Sequence, residues 1–208
     1  MQTKGVLVVV SGFSGAGKGT VMKALLEKYD NYALSVSATT RSPRPGEENG
    51  REYFFLTESQ FEDMIRNDEL IEHARYVDHY YGTPKKYVEE KMAAGKDVIL
   101  EIEIQGALNI KKKFPDALLV FIVPPTAKDL KKRLIGRGTE SAEVIEKRLR
   151  RAAEESDGMD SYDYIVVNDD ADTCVEDLHS LIRSSHFKES ANTDLVARMK
   201  QELHDMTK

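Results

Sequence analysis

Val6-Leu7-Val8-Val9-Val10-Ser11-Gly12-Phe13-Ser14-Gly15-Ala16-Gly17-Lys18-Gly19-Thr20 is the stretch on which the fold turns. The unbroken apolar run Val6–Val10 reads as a strand buried on both faces, the habit of parallel sheets. Apolar spacing then becomes helical through Val21–Leu26. A glycine-rich turn between such a strand and helix aims backbone N–H groups and a helix N-terminus at one point. Lys18 adds a mobile positive charge there. Together these are the parts of a phosphate cradle, the loop that grips the β- and γ-phosphates of a nucleoside triphosphate.

The pattern G-x-x-x-x-G-K-[ST] is met by Gly12, Gly17 and Lys18 but not at its last place. Gly19 stands where a hydroxyl normally reaches Mg²⁺, and Thr20 follows one residue late. Phosphate binding is therefore expected of Gly12, Phe13, Ser14, Gly15, Ala16, Gly17, Lys18, Gly19 and Thr20. The direct ligands of a metal ion stay open.

Outward from the loop, apolar runs recur at Val98–Ile104, Leu118–Val123 and Tyr164–Val167, with helical patterns near Thr83–Ala94, Gly106–Lys113 and Ala127–Ile135. Alternating strands and helices predict an α/β fold, a parallel central sheet covered by helices on both faces. Two segments break the rhythm. Residues 35–81 carry short β-like pieces and one helix at Glu58–Asn67, and read as an inserted mixed α+β subdomain. Residues 126–160 are charged and helical, and read as a lid; neither segment shows a convincing hydrophobic core of its own. That leaves residues 1–34, 82–125 and 161–186 as the core domain and 187–208 as a helical extension. Leu195, Val196, Met199, Leu203 and Met206 fall on one side of that extension, which favours packing on its own domain over binding a partner.

Composition narrows the function classes. The 208 residues are 40% hydrophobic and 32% charged, ordinary for a globular protein. One cysteine, Cys174, excludes a disulfide framework and fits a packing role in a reducing compartment. No apolar stretch approaches a membrane span, and the expected location is the cytoplasm. The net charge of −6 argues against nucleic acid as a partner and requires basic residues to be concentrated locally. Arg41 and Arg44 form one such pair, on the proline-stiffened loop Arg41-Ser42-Pro43-Arg44-Pro45-Gly46. Guanidinium forks bind phosphate oxygens in pairs, and a stiff loop lowers the ordering cost. Arg133, Arg137, Arg148, Arg150 and Arg151 form the second.

Several ordered motifs resemble the guanylate kinase family. They are the phosphate loop, Ser37-Ala38-Thr39-Thr40-Arg41-Ser42-Pro43-Arg44, Gly50-Arg51-Glu52-Tyr53, Leu70-Ile71-Glu72, Tyr80-Tyr81-Gly82-Thr83, Ile104-Gln105-Gly106, Gly136-Arg137-Gly138-Thr139 and Val167-Asn168-Asp169-Asp170. The resemblance implies a P-loop kinase fold with a GMP-binding subdomain, and transfer of the γ-phosphoryl group of ATP to GMP with Mg²⁺. It implies that Arg41, Arg44, Tyr53 and Tyr81 hold the GMP phosphate, and that Ser37, Glu72, Thr83 and Glu101 read the guanine. It gives Arg137 and Arg148, supported by Arg133, the charge on the transferring group, with Lys18 and Arg41 completing the catalytic set. Arg150 and Arg151 are left to a solvated helix face. Asn168 and Asp169 are implied at the adenine of ATP.

The chemistry of the base agrees, because guanine presents N1–H and N2–H₂ donors side by side and a carboxylate offers two acceptor oxygens. The family often has aspartates where this chain has Glu101 and Glu103, which alternation along a strand puts on one face. Of the two, Glu101 is favoured. Neither dGMP nor GMP is selected by any residue. Among rivals, a non-catalytic interaction module would have lost parts of the loop that are intact here, and a GTP-hydrolysing switch lacks an Asn-Lys-x-Asp segment.

Overall fold

The computed structural model describes residues 4–76, 78–136 and 141–207. Strand β1 (Leu7–Gly12) runs through the middle of a five-stranded parallel sheet, and helix α1 (Lys18–Lys28) follows the glycine-rich turn. The sheet is completed by β2 (Tyr32–Leu34) and, later in the chain, by β7 (Asp97–Glu101), β8 (Leu118–Val123) and β9 (Tyr164–Val167), in the order β2-β7-β1-β8-β9. The apolar run of β1 explains its central place. Val8 and Val10 enter one core with Met22, Leu25, Leu178 and Ile182, while Leu7 and Val9 enter another with Val88, Ala107 and Ile110. Both faces are covered, so neither face of β1 has a polar residue before Ser11.

Between β2 and β7 the chain builds a second sheet of four strands, ordered β4-β3-β6-β5. Its members are β3 (Ser37–Thr39), β4 (Tyr53–Phe55), β5 (Leu70–Tyr76) and β6 (His79–Pro84), with helix α2 (Glu58–Arg66) between β4 and β5. The expectation that this segment lacks a core does not hold. Ala38, Phe61 and Leu70 are buried together against Phe54, Leu56, Met64, Ile65 and Tyr80, and the Phe61 and Tyr80 rings stack at 5.2 Å. Its apolar residues are scattered over strands too short to show a period, so the cluster exists only after folding. Thr83, read as the start of a helix, lies in β6 instead, and helix α3 (Lys85–Ala93) begins after Pro84.

Helix α4 (Ile104–Lys113) joins the two sheets. It packs on the main sheet through Ala107 and Ile110 and touches β5, where Lys113 Nζ donates to the Ile71 carbonyl at 3.0 Å. Helices α5 (Ala127–Gly136) and α6 (Ala142–Ser156) pack on each other through Leu130, Leu134 and Ala152, with Phe13 of the glycine-rich turn against them. The lid segment thus also has a small core, shared with the phosphate loop. Helix α7 (Ala171–Ser185) returns to the main sheet. Cys174 is fully buried there, which pushes its thiol up to about 11, as suits a packing residue. Helix α8 (Thr193–Asp205) buries none of its residues, and Leu195, Met199 and Leu203 are exposed. The expected packing of that stripe on its own domain is not found.

Candidate active site

The loop after β1 is held from three directions. Gly17 has a φ of 90°, and a Cβ there would meet the Asn168 amide nitrogen at 2.4 Å, so glycine is needed for both conformation and space. Asn168 Nδ2 donates to the Ala16 carbonyl at 2.7 Å. Arg133 Nη1 donates to the same carbonyl at 3.3 Å, and its Nη2 to the Asn168 carbonyl at 2.7 Å. From α6, Arg148 Nη1 donates to Ser14 Oγ. Lys18 Nζ lies against the loop itself, donating to Gly12 O at 2.6 Å and Phe13 O at 3.3 Å. A cavity beside the loop is lined by Phe13, Ser14, Gly15, Gly17, Lys18, Gly19, Thr20 and Glu101.

Asn168 departs from the sequence-based expectation. It is only 5% exposed and its amide donor is turned into the loop, so its side chain positions the loop where an adenine contact was expected. Asp169 is exposed beyond it. Arg137 lies outside the described residues.

A cavity of about 420 Å³ opens between the two sheets, lined by Ser11, Gly12, Ser14 and Lys18 on the loop side and by Ser37, Tyr53, Glu72 and Tyr81 on the other. Glu101, Glu103, Gly106 and Glu155 lie on its walls. Glu72 is the buried carboxylate of this group, 6% exposed, with Thr83 Oγ1 donating to its Oε1 at 2.9 Å. Burial raises its pKa; the Thr83 hydroxyl and the more distant Lys113 charge oppose that shift. Ser37 sits two strands away, on β3.

Arg41 lies against Tyr53, which lines this cavity. Its Nη2 donates to both carboxylate oxygens of Glu47 at 3.0 Å, its Nη1 donates to Ser42 O at 2.7 Å, and its guanidinium lies 5.3 Å from the Tyr53 ring centroid. Glu47 also accepts from the Arg44 backbone N–H at 2.7 Å, closing the loop as a turn, while Arg44 itself is exposed. That backbone bond and the Arg41 guanidinium hold the Glu47 carboxyl below its ordinary value. Tyr53 and Tyr81 meet edge-on at 6.0 Å. Arg41, Tyr53 and Tyr81 are thus brought together, and Glu47, not singled out among the candidate residues above, fixes the arginine.

The two glutamates are not both in the strand. β7 ends at Glu101, and Glu103 is already the N-cap position of α4, with Ser11 Oγ donating to Ile102 O at 2.7 Å between them. Glu101 borders both cavities. Glu103 accepts Arg151 of α6 at 3.5 Å, and Arg151 also binds Glu155 at 3.0 Å. Arg151 is exposed but paired towards α4, whereas Arg150 pairs only with Glu146 among the described residues and is more exposed.

A site with a triphosphate-type loop on one wall and an arginine, two tyrosines and a buried carboxylate on the other has clear relatives. The model of the guanylate kinase family matches residues 4–185. This chain belongs to the guanylate kinase family. It is 47% identical over 202 residues to a guanylate kinase of Caldanaerobacter subterraneus subsp. tengcongensis, covering 97% of this chain and 98% of that protein. The match to a guanylate kinase of Lactococcus lactis is 50% identical over 188 residues, covering 90% and 92% of the two chains. The crystal structure of a guanylate kinase from Anaplasma phagocytophilum superposes with a TM-score of 0.72 at 32% identity, over 90% of this chain and 89% of that one. The main sheet, inserted sheet and paired lid helices are therefore those of a guanylate kinase fold. Among the described residues no helix is long and apolar enough to cross a membrane.

Proposed function

We propose that this chain transfers the γ-phosphoryl group of ATP to GMP, giving ADP and GDP. The single observation that carries this reading is the cavity shared by the phosphate loop and the buried Glu72, two ligand-binding walls facing one space. Family membership and full-length similarity to curated guanylate kinases support the same reaction.

In this reading the loop amides and Lys18 hold the β- and γ-phosphates of ATP. Arg41, steadied by Glu47, and Arg44 with Tyr53 and Tyr81 hold the phosphate of GMP. Glu72, with Ser37, Thr83 and Glu101, reads the guanine, since a carboxylate facing adenine would be left without donors. A GMP phosphate oxygen attacks the γ-phosphorus in line, and the bond from that phosphorus to the bridging oxygen of ADP breaks. That nucleophile is already anionic at neutral pH, so positioning and charge stabilisation carry the rate. Arg148 and Arg133 bring lid charge to the loop, and an arginine of this kind is worth about 10³–10⁵ in rate. Asp169, exposed beyond the loop, is assigned to the adenine side.

Mg²⁺ accompanying ATP would neutralise phosphate oxygens. Among the described residues no group of three or more His, Cys, Asp or Glu could hold a metal ion. That fits a hard cation whose remaining ligands are phosphate and water. Ser14, Thr20 and Glu101 carry the side-chain oxygens lining the cavity beside the loop, and would be the residues to hold the ion directly or through water. The proposed setting is the cytoplasm, with no nucleic-acid partner.

An ADP-release assay with GMP, AMP, CMP and UMP tests the proposal. GMP is expected to be turned over at least about 100-fold faster than the others, the discrimination available when buried polar groups go unpaired. Equal rates would overturn the guanine reading.

A further inference from the structure

Gly106 sits buried in the first turn of α4, where glycine is a poor helix former and its backbone is not in the left-handed region that glycine favours. What it supplies is room. A Cβ there would lie 3.2 Å from Glu72 Oε2 and 3.2 Å from Ile102 Cδ1. The opposite oxygen, Glu72 Oε1, is tethered by Thr83 at 2.9 Å, so the carboxylate has no easy retreat. Glu72 and Gly106 line the same cavity.

We propose that Gly106 is a specificity-determining position, whose missing side chain keeps Glu72 Oε2 open to a second donor on the base. The inference rests on Glu72 as the guanine acceptor. Guanine needs both carboxylate oxygens, one for N1–H and one for N2–H₂, whereas hypoxanthine carries only the N1–H donor and needs one. Crowding one oxygen therefore penalises GMP more than IMP. Gly106 touches no substrate in this account; it positions Glu72.

Steady-state kinetics of Gly106→Ala and Glu72→Gln with GMP and IMP test it. Gly106→Ala is expected to raise KM for GMP about 5- to 10-fold, with kcat within about twofold and KM for ATP unchanged, the scale of weakening one charge-assisted hydrogen bond. The ratio of kcat/KM for GMP over IMP should fall several-fold. That ratio does not depend on how much enzyme is folded, so a loss of stability cannot imitate it. A ratio unchanged in Gly106→Ala, while Glu72→Gln raises KM for GMP, would overturn the role of Gly106 alone. If Glu72→Gln leaves KM for GMP unchanged, the guanine-acceptor reading falls and takes this inference with it.

Discussion

Glu72 shows how much one residue can be asked to do. An ionised carboxylate at 6% exposure carries a desolvation cost that one hydroxyl at 2.9 Å only partly offsets. Its pKa is accordingly raised. With the folded value above the unfolded one, the native state holds its proton more tightly, and this group's contribution to stability is lost as pH rises through the folded pKa. The Tm of Glu72→Gln relative to the native sequence should therefore climb as pH rises above the ordinary glutamate value of about 4 and through the raised folded one. Thermal scans across that range would contradict the assignment if the difference stayed flat. Function runs the other way, because only the ionised form accepts two donors; KM for GMP is expected to rise as pH falls through the same raised pKa. At this scale the sequence showed the residue types at the site but not what steadies them. Gly106 and Glu47 lie against neighbours distant in the chain or within a turn, and the Asn168 amide is spent on the Ala16 carbonyl, a contact between residues far apart in sequence.

At the scale of elements, local chemistry accounts for where the helices begin. Thr57 and Gln60 cap α2 reciprocally, with Gln60 N–H donating to Thr57 Oγ1 at 3.2 Å and Thr57 N–H to Gln60 Oε1 at 2.8 Å. Thr57→Ala should cost about 1 kcal/mol, since it leaves an orphan amide at the helix start. For a chain of this size that lowers Tm by about 2–4 °C. Thermal unfolding checks the shift, and KM for GMP should stay as it was, because neither Thr57 nor Gln60 lines the cavity. A change in KM with no change in Tm would contradict this placement.

Strands β1, β7 and β8 are legible because each is an apolar run buried on both faces, and α2 and α5 because their periods are helical. The three-residue strands β2, β3 and β4 were harder, for three residues hold barely one alternation. The end of β7 was misplaced for a physical reason. Glu101-Ile102-Glu103 alternates as a strand would, but the chain leaves the strand after Glu101 to enter α4, whose N-cap is Glu103.

The whole molecule is a frame with two attached walls. The main sheet carries the phosphate loop, the inserted sheet carries Glu72 and the Arg41 turn, and α4 braces one against the other. On the other side the lid helices reach the loop through Arg148 and Arg133 and the α4 start through Arg151. With a net charge of −6, the chain holds anions by such local concentrations and not by a basic surface. Closing the walls over two nucleotides would exclude water from the transferring phosphoryl group.

Calorimetric titration of GMP and of ATP with Mg²⁺ into three proteins, the native sequence, Lys18→Met and Arg41→Met, separates the two walls most directly. GMP is expected to bind the native protein and Lys18→Met alike and to lose at least about tenfold in affinity for Arg41→Met, as for a charge-assisted phosphate contact removed. ATP is expected to show the reverse dependence. GMP affinity that fell in Lys18→Met but survived in Arg41→Met, or no GMP heat at all, would contradict two separate anion seats in one cleft.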